Sequence, residues 1–410
     1  MEMGFFDLNV KILKLSGLWV PDKEDSNYMI LVIYNSICVC YSMIYFTIAE
    51  LVALKESASD LNDLIANLNM TMSFILTLAK VFGWFYYRKN IVRIIKLLEA
   101  KENTFSENNV DNENIISEKK RFKNIWTKSF FIVASLVPIS AGILSLTDTV
   151  ISGNKYINYQ NDSTTIYLQK LPYHSWIPFN YASSKYSFSF AVITQCLALL
   201  NCGYITVGLD MMFVALVSLV TAHFTVCSMA FEKSTNVRRE ISKQLKDSFV
   251  YQKVLMRECD KRIKKCVKHL QVLIGVCQEL ETIYSPLVLL QVLISLVVLC
   301  TCLYLVSSLP IGMRLLGNEL AYLLAIEIQV ATYSYVGNEL TYSALEIPTA
   351  IYQSKWSSTS LDFKKIMLIT MMRMQKPVHI SVGKFSALTL NTFVMIAKTS
   401  YSIFAVLKGN

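Results

Sequence analysis

Seven long apolar stretches limit what this chain of 410 residues can fold into. They lie near residues 28–53, 62–86, 126–150, 186–222, 284–308, 318–343 and 380–406. A helix of about 20 apolar residues crosses the hydrocarbon core of a bilayer, whereas a barrel strand needs only about 10. Charged residues make up only 17% of the chain, against about 25% in soluble domains. The stretches therefore predict an all-α, polytopic membrane protein with seven transmembrane helices, which we number as spans one to seven.

The basic residues of the loops are distributed unevenly between the two sides of these spans. Nine lysines and arginines follow the second span, twelve follow the fourth, and five lie between the sixth and the seventh. The other connections hold only scattered cations, such as Lys55, Lys155 and Lys170. Because cytoplasmic loops carry the excess of positive charge, the N-terminus is predicted to be cytoplasmic and the C-terminus extracellular.

The segment before the first span and the segment after the second span have distinct compositions. Residues 1–27 are predicted to form a cytoplasmic or membrane-surface segment, in which residues 3–19 could lie on the membrane as a helix. No signal-peptide pattern precedes the first span, so that span is expected to direct insertion itself. Residues 102–120 are rich in Asn, Glu and Ser, which predicts an exposed flexible linker.

The remaining chain is predicted to extend well below the membrane. Residues 28–345 contain spans one to six, and apolar residues at helical spacing near 228–283 predict that spans four and five continue into the cytoplasm. Residues 346–378 have a weaker amphipathic pattern and form a predicted anchor segment, followed by the last span and a short tail at 379–410. These extensions could form a packed cytoplasmic anchor layer, either as an interface between subunits or as a self-contained cap.

Few motifs in the chain carry chemistry. Asn161 begins an Asn-Asp-Ser glycosylation site in the loop that the charge count places outside the cell, whereas Asn69 in Asn-Met-Thr lies inside the second span. The ten cysteines and four histidines show no disulfide framework and no metal-ligand spacing. No nucleotide-binding or hydrolase motif is present. We therefore expect no enzyme, no cofactor, no metal and no nucleic-acid partner.

The last 75 residues or so contain several motifs at characteristic spacing. They are "GNEL" at 337–340, "RMQKP" at 373–377, "GKF" at 383–385 and "TSYSIFAVLK" at 399–408, with Trp356 and Phe363 between them. This pattern resembles the C-terminal signature of insect odorant receptors. The "FAVLKGN" ending and the short loop at 231–281 differ from the co-receptor subunit of that family. Gustatory receptors end in a Thr-Tyr followed by a Gln-Phe pair, which does not follow Thr399 and Tyr401 here.

The resemblance implies an odour-tuned subunit of a ligand-gated, non-selective cation channel. Such a subunit would assemble with the co-receptor as a heterotetramer in the plasma membrane of olfactory neuron dendrites and pass Na⁺, K⁺ and Ca²⁺. A volatile ester, alcohol, aldehyde or terpene would bind in the outer half of the membrane between spans two, three, four and six. An enclosed apolar cavity with few polar groups suits such a ligand. The candidates at that depth are Leu68, Met72, Ile139, Gly142, Leu146, Tyr186, Phe190, Ile193, Tyr322, Leu323 and Ile326.

The last span has one polar face. At 100° per residue, Asn391, Lys398 and Ser402 align, while Phe393 and Phe404 point away. The resemblance implies that this helix lines a central pore, with apolar rings at Ile403 and Leu407 able to close it by dewetting. A fixed charge at Lys398 would repel cations, so it is expected at a subunit interface or in a wide vestibule. The pore candidates are Thr392, Lys398, Thr399, Ser402, Ile403, Val406 and Leu407.

Four further ionisable residues fall inside the spans, where charge is costly and often functional. Lys80 and Asp210 lie toward the cytoplasmic ends of their spans, and a structural ion pair between them is the favoured interpretation. Glu319 and Glu327 lie on the sixth span near the expected ligand site.

Three alternative functions remain open. One is a G-protein-coupled receptor, which needs an extracellular N-terminus, and another is a gustatory-type receptor. The third is a transporter, which would show an internal repeat.

Overall fold

The structure is a computed structural model that describes residues 4–20, 27–58, 61–100, 109–151, 156–157, 166–167, 171–173, 175–181, 184–235, 248–308 and 314–409. Its α-helices are Asp7–Leu15 (α1), Tyr28–Val39 (α2), Phe46–Ser57 (α3), Leu61–Glu99 (α4), Asn109–Ile151 (α5), Lys185–Lys233 (α6), Ser248–Ser308 (α7), Arg314–Gln353 (α8), Leu361–Met374 (α9) and Leu390–Gly409 (α10). A π-helical turn at Cys40–Tyr45 joins α2 to α3, and a 3₁₀ turn lies at Trp356–Ser358. Two short antiparallel hairpins pair Tyr156–Ile157 (β1) with Ile166–Tyr167 (β2), and Ser381–Val382 (β3) with Ser386–Ala387 (β4).

The long helices correspond to the predicted spans. The unit from α2 to α3 is the first span, α4 to α8 are the second to the sixth, and α10 is the seventh. Among the described residues, five helical segments meet a length and hydropathy criterion for crossing a membrane, and these are the first five spans. The more polar α8 and the shorter α10 complete the set. α6 is the central helix and is almost wholly buried, whereas α5 is mostly exposed at the edge.

The predicted cytoplasmic extensions of spans four and five are present as continuous helix. α6 runs to Lys233 and α7 begins at Ser248. Ile263, Leu270 and Leu273 on α7 are buried below the span, at the spacing of one helix face. α7 packs both with α6 and with α9, so the anchor segment and the extensions form one layer.

The segment predicted as a flexible linker is partly helical, and that prediction is wrong from Asn109 onward. Its polar composition conceals Ile116, which packs against the main core, and Asn112, which is buried. Tertiary contacts of this kind override a composition that disfavours ordering. Residues 102–108 of the predicted linker lie outside the described residues, as does Asn161 in the predicted outer loop.

The N-terminal helix α1 packs inside the bundle instead of on the membrane surface. Phe6 and Leu13 are fully buried, and Leu13 lies against Gly208 of α6, where a Cβ would stand 2.6 Å from its Cδ2. Lys123 of α5 donates to the Phe5 carbonyl oxygen at 2.6 Å. Gly17 has φ of +76° and reverses the chain after α1. A helix with apolar residues on one face does not reveal whether lipid or protein covers that face.

The seventh span begins later than predicted. It starts at Leu390 rather than near residue 380, because the β3–β4 hairpin occupies the preceding residues. Gly383 and Lys384 both have positive φ, as a tight two-strand turn requires. The Gly383 N–H donates to the Ser285 carbonyl oxygen of α7 at 3.1 Å, which fixes the hairpin beneath the helix that α10 packs on.

Candidate functional site

An apolar cluster lies between α4, α7 and α8 in the outer half of the spans, and we call it the outer cluster. Leu76, Ile294, Val298 and Cys302 are its buried members. The half-buried side chains packed around them are Met72, Leu290, Tyr322, Leu323 and Ile326. Helix faces that meet in this way form a wall of aliphatic and aromatic side chains, which is the surface that a small apolar molecule requires.

A few polar groups at the edge of the outer cluster are joined by hydrogen bonds. The Tyr322 hydroxyl donates to the Asn69 carbonyl oxygen at 3.1 Å and also bonds to Ser73 Oγ. Asn69 Nδ2 donates to Cys302 Sγ at 3.4 Å. Glu319 is buried, and its Oε2 has no hydrogen-bond partner among the described residues. The outer cluster therefore offers apolar contact with a hydroxyl and a carboxyl nearby.

The structure brings together four of the predicted ligand-binding residues and separates the others. Met72, Tyr322, Leu323 and Ile326 all belong to the outer cluster. Leu68 is half-buried on α4, and Leu146 is half-buried on α5. Gly142 of α5 is buried against α6, where a Cβ would lie 2.6 Å from Cys196 Sγ. The contact at Gly142 closes the α5–α6 interface and leaves no room for a ligand there.

Four other predicted residues lie on the outside of this chain. Tyr186 is 88% exposed, and Phe190, Ile193 and Ile139 are also exposed. The three residues of α6 have spacings of four and three, so they share one outward face of its first turns. These four side chains do not line the outer cluster, and a helix that is apolar all round carries no signal for which side faces protein.

Two features were missed from the sequence. The fifth span supplies Ile294, Val298 and Cys302 to the outer cluster, and their spacing of four residues was a usable signal. Glu50 lies within the first span, is 1% exposed, and has no hydrogen-bond partner for either carboxyl oxygen among the described residues. An acid inside a span is a functional candidate by itself.

Toward the cytoplasmic side, the same helices and α6 meet in a polar network that we call the inner junction. Lys80 Nζ lies 2.6 Å from Asp210 Oδ1, so the predicted ion pair is confirmed. The Tyr333 hydroxyl donates to Asp210 Oδ1 at 2.8 Å, and Gln329 donates to Oδ2. Gln291 of α7 extends the network by donating to Gln329 Oε1 at 3.1 Å. A cavity of about 20 Å³ beside the pair has room for about one water molecule.

The last helix, α10, has the two faces that its sequence predicts. Ile396 and Ser400 are buried, and Phe393 is half-buried, against α7 and α8. The exposed predicted pore residues are Lys398, Thr399, Ser402, Ile403 and Val406. Thr392 is half-buried and donates to the Ala387 carbonyl oxygen at 2.7 Å, which ties the start of the helix to the hairpin. Leu407 lies in α10, but its side chain is outside the described part of the chain.

Two residues of α8 belong to both the outer cluster and the contact with α10. Leu323 and Ile326 pack against the buried members of the outer cluster. They also pack against a second cluster, which is formed by Leu299 of α7, Val330 of α8 and Ile396 of α10. Because close-packed interiors transmit strain, a displacement of these two side chains by a change in one cluster also alters the packing of the other.

The cytoplasmic layer contains buried titratable groups. The His223 and His269 rings are 5.5 Å apart in a T-shaped arrangement, and His223 Nε2 is 3.1 Å from the Leu98 carbonyl oxygen. Burial, with a smaller contribution from the neighbouring His223, lowers the pKa of His269 to about 3. Burial likewise lowers the pKa of Lys123, just below the third span, to about 8. Both groups are held by packing that disfavours their charged forms.

The layer also presents an apolar surface. The exposed residues of α9 are Leu361, Leu368, Ile369 and Met372, while Phe363 and Met374 on its other face are buried.

Glu327 on α8 is half-buried near the outer cluster. Among the described residues, no group of three His, Cys, Asp or Glu side chains is arranged to hold a metal ion.

Comparisons with known proteins agree with this architecture. A family model described as "7tm Odorant receptor" matches residues 60–401. The chain is 22% identical to odorant receptor Or1 of Anopheles gambiae, over 98% of this chain and 95% of that protein. It is also 22% identical to odorant receptor 94a of Drosophila melanogaster, over 98% of this chain and 96% of that protein.

A solved structure has the same fold. The insect olfactory receptor OR5 of Machilis hrabei, determined in complex with eugenol, superposes with a TM-score of 0.75 at 14% sequence identity. The superposition covers 99% of this chain and 98% of that one. The predicted all-α fold with seven transmembrane helices is thereby confirmed.

Proposed function

The chain belongs to the 7tm odorant receptor family, and from that premise we propose that it is the odour-binding subunit of a ligand-gated, non-selective cation channel. Odorant receptors are membrane proteins of olfaction, so a small odorant is the ligand class. Family membership does not by itself establish channel opening, the partner subunit or the binding residues. Contacts within the chain support the binding residues and their coupling to α10.

The observation that carries the proposal is the position of Leu323 and Ile326 between the outer cluster and α10. A ligand that packs against the outer cluster better in one arrangement of α8 than in another would shift the population toward that arrangement. The same side chains would then move against Ile396 of the last helix. Binding is thereby coupled to the pore helix through two side chains, without a long chain of intermediates.

The proposed ligand is a volatile ester, alcohol, aldehyde or terpene. Aliphatic side chains of the outer cluster would supply most of the contact, and the Tyr322 hydroxyl would serve one oxygen of the ligand. The related OR5 structure contains eugenol, which agrees with a site for a small, largely apolar molecule. Met72 and Leu76 on α4 would form the opposite wall.

The exposed face of α10 is proposed to line a central pore in a tetramer with the odorant receptor co-receptor. Ile403 and Val406 are exposed on that face and would contribute apolar constrictions, with Leu407 one turn beyond Ile403. Such rings close a pore by dewetting and open when the helices separate. Lys398 is exposed on the same helix, and one lysine among four subunits would be tolerable for Na⁺, K⁺ and Ca²⁺. The exposed apolar residues of α9 would contact neighbouring subunits in the cytoplasm.

The experiment is whole-cell recording from cells that express this chain with and without an odorant receptor co-receptor. A panel of esters, alcohols, aldehydes and terpenes is applied. We expect ligand-evoked cation current only in the co-expressing cells, in the presence of G-protein blockers. A response that disappears with those blockers would overturn the channel mechanism and favour a G-protein-coupled receptor.

Adjacent leucines of α8 provide a matched test of the coupling. Leu323→Ala removes a side chain shared by both clusters, whereas Leu324→Ala removes one that is 53% exposed. We expect Leu323→Ala to raise the half-maximal odorant concentration by about tenfold, the equivalent of about 1.4 kcal/mol, and Leu324→Ala to change it less than twofold. Equal effects from the two variants, at equal surface expression, would contradict the proposed coupling.

A further inference from the structure

The cytoplasmic end of α5 carries an open groove of about 340 Å³, which we call the basic groove. It is lined by Ser117, Lys120, Arg121, Asn124, Ile125 and Lys128. These positions recur every three or four residues, so they lie along one face of the helix. Three of the six are cations, and none is acidic. The groove ends at Lys128, within the first turn of the predicted third span.

Among the described residues, no carboxylate forms a close ion pair with a cation of the basic groove, although the Glu99 carboxyl attracts Lys120 at longer range. Lys119, on the neighbouring face, pairs with Glu339 of α8 at 3.0 Å. Lys120, Arg121 and Lys128 have no carboxylate oxygen within 4 Å among the described residues. Their charge is therefore available to an anion from outside the chain.

The groove also contains a buried acceptor. Asn124 Oδ1 has no hydrogen-bond partner in the described part of the chain. An ionised phosphodiester has no hydrogen to donate to this oxygen, whereas a ligand that carries both an anionic group and an N–H or O–H donor can satisfy it. The lining therefore suits a headgroup with mixed chemistry rather than a phosphodiester alone.

An apolar stripe continues from the groove along the same side of α5. Ile125, Ile132, Leu136, Ile139 and Ile143 are all exposed, at spacings of seven, four, three and four residues. α5 packs on α6 and α1, while α10 packs on α7 and α8. In the proposed tetramer, which has α10 at its centre, this stripe lies at the outer edge, in contact with lipid. Acyl chains attached to a headgroup in the groove would run along it.

From the charge, the orphan acceptor and the stripe, we infer that the basic groove binds an anionic phospholipid of the cytoplasmic leaflet. Its phosphate contacts Lys120, Arg121 and Lys128, and its acyl chains lie on the apolar stripe. Phosphatidylserine fits best, because its ammonium group supplies the donor that the buried Asn124 Oδ1 lacks, once the Asn124 amide turns toward the groove. The site does not depend on the odorant or on channel opening.

The test uses the full-length chain in detergent micelles and native mass spectrometry. The probes are dioctanoyl phosphatidylserine, dioctanoyl phosphatidylcholine and glycerophosphoserine, which is the headgroup without chains. Each cation near the membrane surface contributes about fivefold in affinity for anionic lipid, so three contribute roughly 100-fold. We expect the wild type to prefer phosphatidylserine to phosphatidylcholine by roughly 100-fold, and Lys128→Gln alone to lower that preference about fivefold.

The variant Lys120→Gln/Arg121→Gln/Lys128→Gln is expected to abolish the preference. The matched control is Lys253→Gln/Arg257→Gln/Lys264→Gln, which removes the same residue types from exposed positions of α7. Lys264 is 20 residues before the predicted fifth span, or about 30 Å along a helix. The control should keep the wild-type preference. The mutated positions are exposed except Lys120, which is half-buried, and thermal unfolding of each variant in phosphatidylcholine verifies folding.

Three results would overturn the inference. The first is a triple variant that is folded and retains the preference for phosphatidylserine. The second is an equal loss in the α7 control, which would mean that net charge alone attracts the lipid. The third is glycerophosphoserine binding as tightly as the lipid, which would make the groove a site for a soluble anion.

Discussion

The inner junction and the outer cluster both bury polar side chains between α4, α7 and α8, but they satisfy those side chains to different degrees. In the inner junction, the Asp210 carboxylate accepts hydrogen bonds from Lys80, Tyr333 and Gln329. In the outer cluster, Tyr322 is bonded, whereas Glu319 Oε2 has no partner among the described residues. The buried charges of the inner junction are paired, although Gln291 Oε1 at its edge has no partner among the described residues, whereas the outer cluster leaves an oxygen of a buried carboxyl without a partner.

This difference separates a structural layer from a responsive one. A buried charge is tolerated in a membrane only when it is paired, so the inner junction holds four helices in one arrangement. Packing of apolar side chains in lipid is weaker, because lipid tails replace the lost contacts. The outer cluster can therefore rearrange at low cost, while the inner junction acts as the fixed end of α8.

The largest expected effect comes from breaking the inner junction. Asp210→Asn leaves the Lys80 ammonium buried without a counter-ion, which we expect to destabilise the fold by about 3–5 kcal/mol. The measurement is the thermal unfolding temperature in detergent. The double variant Lys80→Met/Asp210→Leu should recover most of that loss, since it removes both charges.

An exposed ion pair of similar length provides the control for that experiment. Arg93 and Glu279 are 2.8 Å apart, with 64% and 41% of their side chains exposed. Arg93→Gln should cost less than about 1 kcal/mol, because water screens such a pair. If Asp210→Asn is as mild as Arg93→Gln, the inner junction is not the fixed layer.

A smaller effect is expected from the histidine pair below the inner junction, and it depends on pH. The pKa of His269 is about 3 in the fold and about 6.5 in an unfolded chain. The unfolded state therefore binds a proton first, so the stabilising contribution is complete above pH 6.5 and declines as pH falls toward 3. At pH 5.5 the loss is about 1.4 kcal/mol relative to neutral pH.

The contribution of this histidine is isolated by a substitution that cannot take up the proton. His269→Gln should lower the unfolding temperature at pH 7.5 but reduce its further decline between pH 7.5 and 5.5. His379→Gln, in the loop after α9, serves as the control and should decline as the wild type does. Parallel declines for the wild type and His269→Gln would show that burial of His269 is not linked to acid sensitivity.

The smallest expected effect belongs to the outer cluster. Tyr322→Phe removes the hydroxyl that bonds to Asn69 and Ser73, at a cost of about 0.6 kcal/mol for an interhelical bond in a membrane. Thermal unfolding measures that cost. Odorants with a hydroxyl or carbonyl should lose potency in this variant, while hydrocarbon odorants should not. A stability loss as large as that of Asp210→Asn would remove the distinction between the two layers.

The number and approximate extent of the spans could be predicted, because the length of an apolar run is set by the thickness of the bilayer. The Lys80–Asp210 pair could also be predicted, since two opposite charges at similar depth have strong reason to meet. The polar face of α10 followed from its periodicity, with Lys398 and Ser402 exposed and Ile396 buried. These features depend on charge, length or period.

The structure separates the predicted ligand-site residues for a physical reason. Tyr186, Ile193 and Ile139 were chosen by depth, but depth does not determine the direction in which a side chain points. In a membrane protein the apolar side chains that face lipid and those that face other helices are chemically alike. The spacing of Val298 and Cys302 places them on one face of α7, but that spacing alone does not show whether lipid or protein covers the face.

The sequence by itself determined the class of protein, the seven spans, the charge distribution that predicts their orientation, and the pairing of buried charges. Those properties follow from hydropathy and electrostatics, which act on each segment separately. Only the tertiary structure decided that α1 is buried against Gly208, that a hairpin precedes α10, and that Leu323 and Ile326 join two clusters. Those contacts depend on the rotation of each helix about its axis, and an apolar surface surrounded by lipid or by other helices encodes that rotation only weakly.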